Sequence, residues 1–91
     1  MNKAQMNYEV LVDRLAEESR KYCFSILWQG RKTVVRFQYK GRSYPLFISY
    51  DEDDGTVTFQ NKTGTYLRFS DAFEAHNEFW NIWKRLKGKR G

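Results

Sequence analysis

FSDAFEAHNEFWNIWKRLKGKRG, residues 69–91, is the stretch whose reading decides the fold. Ser70 and Asp71 are both good N-cap residues, and Asp71 with Glu74 three positions on has the capping-box spacing that satisfies orphan backbone N–H groups. Asp71, Glu74 and Glu78 near the start, and Lys84, Arg85 and Lys87 near the end, both suit the helix macrodipole, and Gly88 is a C′ stop. Start, polarity and stop together predict a C-terminal helix. Its apolar residues fall on two lines. Ala72, Ala75, Phe79, Ile82 and Leu86 form one, with His76 and Trp83 on its flank; Phe73 and Trp80 form the other, beside Asn77 and Lys84. The first line is enough to dock the helix on a sheet. The second is expected to be buried as well, because a small domain needs heavy side chains in its core. The competing reading leaves Trp80 partly exposed beside Lys84 as an anchor for a partner.

What precedes this helix supplies the sheet. Residues 3–22 read as a first helix, with Tyr8, Leu11, Val12, Leu15 and Tyr22 on a helical step and Asp13, Arg14, Glu17, Glu18 and Lys21 filling most of the other face. From Cys23 the period drops to two: Phe24, Ile26 and Trp28 alternate with Ser25, Leu27 and Gln29, and Gln29-Gly30-Arg31-Lys32 closes a hairpin. The next strand is read over Thr33–Lys40, with Val35, Phe37 and Tyr39 facing one way and Val34, Arg36, Gln38 and Lys40 the other. After Gly41-Arg42, Tyr44, Leu46, Ile48 and Tyr50 alternate again. Pro45 has no N–H for a ladder bond, so this strand is expected to be an edge near that point or to turn Pro45 away from its neighbour. Residues 56–69 fit either a terminal hairpin or one strand and a loop. The order α-β-β-β-(β-β)-α makes the chain α+β: an antiparallel meander of three to five strands, with an N-terminal and a C-terminal helix covering one face.

With 91 residues there is room for one hydrophobic core, so residues 1–87 are read as a single domain and residues 88–91 as a basic, frayed tail. Apolar residues at 41% and aromatics at 18% are too many for a disordered chain. No run approaches the ~18 apolar residues of a membrane span, and MNKAQMNYEV lacks a signal-peptide apolar region. A lone cysteine, Cys23, forms no internal disulfide and anchors no zinc, which fits a reducing cytoplasm. Net charge is +5, distributed as +5 over residues 1–50, −5 over 51–83 and +5 over 84–91, a dipolar pattern that steers association with a polyanion or an acidic protein face.

Chemistry is harder to find. Asp51, Asp53, Asp54 and Gly55 open like a calcium loop, but the bidentate acid that loop needs at its twelfth position is Lys62 here, and a polar hairpin tip explains the same residues. Gln38-Tyr39-Lys40 resembles a relaxed acidic-x-Lys strand of a large nuclease superfamily with a similar helix-sheet-helix order. Metal-dependent cleavage needs converging carboxylates, and the strand before Gln38 offers none in place. Cys23 and His76 lack any signature of an orienting group or an oxyanion site and are read as structural. The expectation is a non-enzymatic protein with no cofactor or metal.

Binding has more support. With one sheet face under the helices, the other would present Arg36, Gln38 and Lys40, with Phe47 on the adjoining strand and Arg31, Lys32 and Arg42 in the flanking turns; Lys84, Arg85 and Lys87 add a second cluster. Cations with an interleaved aromatic contact phosphates and stack a base. The α-β-β-β-α order is similar to that of double-stranded-RNA-binding domains, yet the basic cluster which that family places at the start of its last helix is replaced by Asp71 and Glu74, so the resemblance is of topology and no binding residue carries over. The expected partner is nucleic acid or a nucleic-acid-handling protein. The alternative is an accessory or inhibitory subunit, of the kind mobile elements encode, that docks on a larger protein through Trp80, Phe73 or a sheet edge.

Overall fold

A helix, five strands and a second helix follow one another in a computed structural model that describes residues 3–22, 24–39 and 41–88, with the backbone alone placed for Tyr39, Lys87 and Gly88. They are α1 (Lys3–Glu18), β1 (Phe24–Gln29), β2 (Lys32–Tyr39), β3 (Arg42–Asp51), β4 (Thr56–Asn61), β5 (Tyr66–Phe69) and α2 (Ala72–Gly88). The strands form one antiparallel sheet in the order β1-β2-β3-β4-β5, the meander that the succession of tight turns demands. Cys23, Lys40 and residues 89–91, and with them the expectations placed there, lie outside the described residues.

Each turn has a local cause. Gly30 at φ 64 takes the left-handed conformation a two-residue hairpin needs, so Gln29 and Lys32 pair directly and β2 starts one residue before the expected Thr33. The acidic turn is a polar tip: Asp51 Oδ1 accepts from the backbone N–H groups of Asp53 and Asp54 at 2.9 and 3.4 Å. Residues 56–69 are a hairpin. Asn61 Oδ1 gathers the N–H groups of Thr63 and Thr65, each at 3.0 Å, and folds the loop that brings Tyr66 opposite Gln60.

Pro45 sits on β3, the central strand, opposite Arg36 of β2. β4 runs alongside β3 only from Leu46 onward, so β3 is locally an edge where the N–H is missing. α1 ends at Glu18, four residues short of the expected Tyr22. The Ser19 hydroxyl donates to Ala16 O at 2.7 Å, competing with the helical ladder. Tyr22 then leaves the helix to set its ring edge-on against Trp80 and Trp83, with centroids 4.9 and 5.9 Å away. α2 starts as its cap requires, with Asp71 Oδ1 accepting from Glu74 N–H at 2.8 Å. Gly88 is its last residue rather than the one after it.

Both helices cover one face of the sheet. The core joins Tyr8, Leu11, Val12 and Leu15 of α1 to Phe24, Val35, Phe37, Leu46, Ile48, Val57 and Phe59 of the strands, and to Ala75 and Phe79 of α2. α2 crosses the sheet diagonally: it leaves the end of β5 and lays Phe79 on Phe24 and Phe37, at 5.1 and 5.3 Å between ring centroids, at the far ends of β1 and β2. The resemblance to a three-stranded RNA-binding topology stops here, because β4 and β5 extend the sheet. No helix among the described residues is long and apolar enough to cross a membrane.

Candidate functional site

The register that places Thr33, Val35 and Phe37 under the helices turns their neighbours to the open face. Reading across the strands, Leu27, Val34, Phe47, Gln60 and Tyr66 form one row of that face. Gln29, Lys32, Ser49, Thr58 and Arg68 form the row on one side, and Ser25, Arg36 and Pro45 the row on the other. An apolar stripe of Leu27, Val34 and Phe47, followed past Gln60 by Tyr66, is thus bordered by cations. Tyr66 is 57% exposed, Phe47 is half-buried, and the Lys32 ammonium stands 5.9 Å from the centre of the Phe47 ring.

The acidic turn reaches one end of this surface. Arg68 Nη1 donates to Asp54 Oδ2 at 2.8 Å, and Arg31 lies 3.6 Å from Glu52 with its guanidinium 5.8 Å from the centre of the Tyr50 ring. Lys32 and Arg36 have no carboxylate within ion-pair distance among the described residues, and both are exposed. The positive potential of the face therefore rests on these two, with Arg68 partly compensated. Sequence reasoning placed Lys32, Arg36 and Phe47 but missed Tyr66 and Arg68. Their two-residue spacing was the available signal, and it stayed unread because residues 65–69 carried no mark separating a strand from a loop.

Gln38, also expected here, is exposed on the same face beyond Arg36, opposite Ser43, whereas the other expected residues that are described lie elsewhere. Arg42 opens β3 and is exposed at the opposite end of the sheet. Lys84 is exposed on α2, and Arg85 Nη2 donates to Glu78 Oε2 at 2.8 Å; Lys40 and the Lys87 side chain fall outside the description. Trp80 is half-buried in an aromatic cluster, with ring centroids 4.9 Å from Tyr22, 5.2 Å from Trp83 and 5.6 Å from Phe79. Phe73, expected to be buried on the same helical line, is 72% exposed. Two turns separate the pair along α2, and Tyr22 and Phe24 cover only the Trp80 end.

His76 clasps the two helices. Its Nε2 lies 2.9 and 3.1 Å from the carboxylate oxygens of Glu18 and 3.2 Å from the indole nitrogen of Trp80. A protonated Nε2 donates to Glu18, whereas a bare one accepts from Trp80, so one nitrogen serves one partner at a time. A second polar contact lies under the sheet. The Tyr8 hydroxyl donates to Gly30 O at 2.9 Å and lies 2.7 Å from Thr33 Oγ1. Burial pushes the Tyr8 phenol above its ordinary value; the Thr33 hydrogen bond opposes the rise, and Tyr50 and Glu9 add to it. Among the described residues no three His, Cys, Asp or Glu side chains gather as metal ligands. No family model, curated protein or solved structure matches this chain.

Proposed function

We propose that the chain is a non-enzymatic binding module that takes single-stranded nucleic acid on the open face of its sheet. The observation that carries this reading is the alternation of chemistry across the strands: Phe47 and Tyr66 in one row, with Lys32 and Arg68 in the row on one side and Arg36 on the other. Two strand spacings, about 10 Å, separate the two rings. Unstacked bases offer π faces to such a platform, and their phosphates meet the bordering cations. A duplex is read by an element that enters a groove, and a broad sheet face with an apolar centre favours splayed bases instead.

Fluorescence anisotropy with labelled single-stranded and duplex DNA and RNA tests this. If Lys32, Arg36 and Arg68 each displace a counterion, log Kd for a single strand rises with log salt with a slope of about 2. Tyr66→Ala weakens binding by about 1–3 kcal/mol, the usual cost of one lost base stack, and Lys32→Glu with Arg36→Glu removes most of the remainder. Absence of binding at low salt, or binding indifferent to these substitutions, overturns the reading.

A second reading, an accessory or inhibitory subunit docking on a larger protein through α2, is favoured by the exposure of Phe73. Under it Phe73→Asp abolishes partner capture while Tyr66→Ala leaves it intact.

A further inference from the structure

The two edges of the sheet are built differently. β5 has four residues, and its Arg68 is tied to Asp54. β1 has six, FSILWQ, with no charge and no proline, and it holds Leu27 at 56% and Trp28 at 47% exposure. Short strands, charges and prolines are the usual guards against edge pairing, and β1 has none of them. Among the described residues the one backbone bond on the outer side of β1 is at its first residue, Phe24, and no neighbouring strand pairs there.

We propose that β1 is the interface for a second copy of this chain, joined edge to edge about a two-fold axis normal to the sheet. The inference is independent of what the open face binds. The two-residue turn at Gly30-Arg31 makes its flanking pair, Gln29 and Lys32, a hydrogen-bonded one. Alternation then gives Ser25, Leu27 and Gln29 to β2 and turns the N–H and C=O groups of Ile26 and Trp28 outward. The Phe24 N–H, which alternation also turns outward, is already donated to Tyr22 O at 2.9 Å.

A two-fold axis normal to the sheet keeps covered face with covered face, which limits the antiparallel register to pairings between residues on the same face. With Leu27 on the axis, Ile26 of each copy meets Trp28 of the other, and all four outward N–H groups find carbonyls. With Ile26 on the axis, Trp28 meets Phe24, whose N–H is taken, so the Trp28 carbonyl of each copy is left without a donor. The Leu27 register also places Leu27 beside Leu27 and Ile26 beside Trp28, so the contact is apolar where the axis passes. The uncharged strand lets a chain of net charge +5 approach its copy without opposing like charges on the paired residues. The apolar run of Leu27, Val34 and Phe47 becomes continuous across the six central strands of a ten-stranded sheet.

Sedimentation velocity over a concentration series is expected to show a monomer of 11.0 kDa giving way to a dimer of twice that mass. Leu27→Lys places two ammonium groups on the axis and raises the dimer Kd by about tenfold or more, with an unchanged circular dichroism spectrum because the side chain lies on the exposed face. In a Cys23→Ser background, Leu27→Cys sets two thiols on Cα atoms about 4.5 Å apart, within disulfide reach, and mild oxidation yields a covalent dimer. Tyr66→Cys in the same background yields none. A protein that stays monomeric at every concentration, a dimer untouched by Leu27→Lys, or a Leu27→Cys variant that fails to cross-link overturns the proposal.

Discussion

Tyr8 is 1% exposed, and its phenol is the polar group on which the α1–sheet contact turns. The hydroxyl bridges Thr33 and Gly30, so Tyr8→Phe leaves the buried Thr33 hydroxyl short of a partner and costs about 1–2 kcal/mol in a urea titration at neutral pH. Burial raises the phenol's folded-state pKa, so the folded protein holds its proton where the unfolded chain has already lost it. That stability is fully present below the ordinary tyrosine pKa of about 10 and is lost as pH rises from there through the folded value. Wild-type protein is therefore expected to lose more melting temperature than Tyr8→Phe between pH 8 and pH 10.5. Equal slopes would place the titration in other groups. The sequence read Tyr8 as one apolar step of an amphipathic helix. Its hydrogen bonds were illegible because both partners, 22 and 25 residues away, are brought to it only by the β1–β2 hairpin.

At the scale of the element, α2 divides into a part that sequence prescribes and a part that packing prescribes. The cap was readable because it is local: Asp71 bonds the N–H three residues on, and Asp71→Ala is expected to cost about 1 kcal/mol. The line of Ala75 and Phe79 was readable from its period. Phe79 is fully buried between Phe24 and Phe37, and Phe79→Ala is expected to cost about 3–5 kcal/mol. Phe73 and Trp80 share a line, so periodicity could not tell them apart. The diagonal crossing does, by carrying only Trp80 to Tyr22 and Phe24. Phe73→Ala is accordingly expected to stay within about 0.5 kcal/mol of wild type and Trp80→Ala to cost more, an asymmetry that thermal melts of these two variants measure directly. The same dependence on distant packing hid the end of α1, where Tyr22 keeps a helical step in sequence but turns aside to meet α2.

For the whole molecule, the meander decides where the charge blocks of the sequence meet. The connections alternate between the ends of the sheet, so the acidic turn after β3 shares an end with Arg31, Arg68 and the Asp71 cap. Arg42, Lys62 and the residues before β1, Arg20 and Lys21, share the other, toward which α2 carries Lys84 and Arg85. The alternating charge blocks were visible in sequence. Their geometry was not, since Arg68 lies inside the acidic block and becomes part of the cationic border only through the β4–β5 register. Asp54 therefore competes with any polyanion for Arg68. The pair is exposed, with the Arg68 side chain 61% and the Asp54 side chain 44% accessible, and such pairs add about 0–1 kcal/mol to stability. Asp54→Asn is thus expected to leave the melting temperature nearly unchanged. It should also tighten single-strand binding on the open face and steepen its salt dependence, as Arg68 exchanges a carboxylate for a phosphate. Anisotropy titrations at two salt concentrations on Asp54→Asn and on Asp54→Asn with Arg68→Gln separate this from a general change in net charge: the gain disappears in the double variant if Arg68 carries it and persists if net charge alone does.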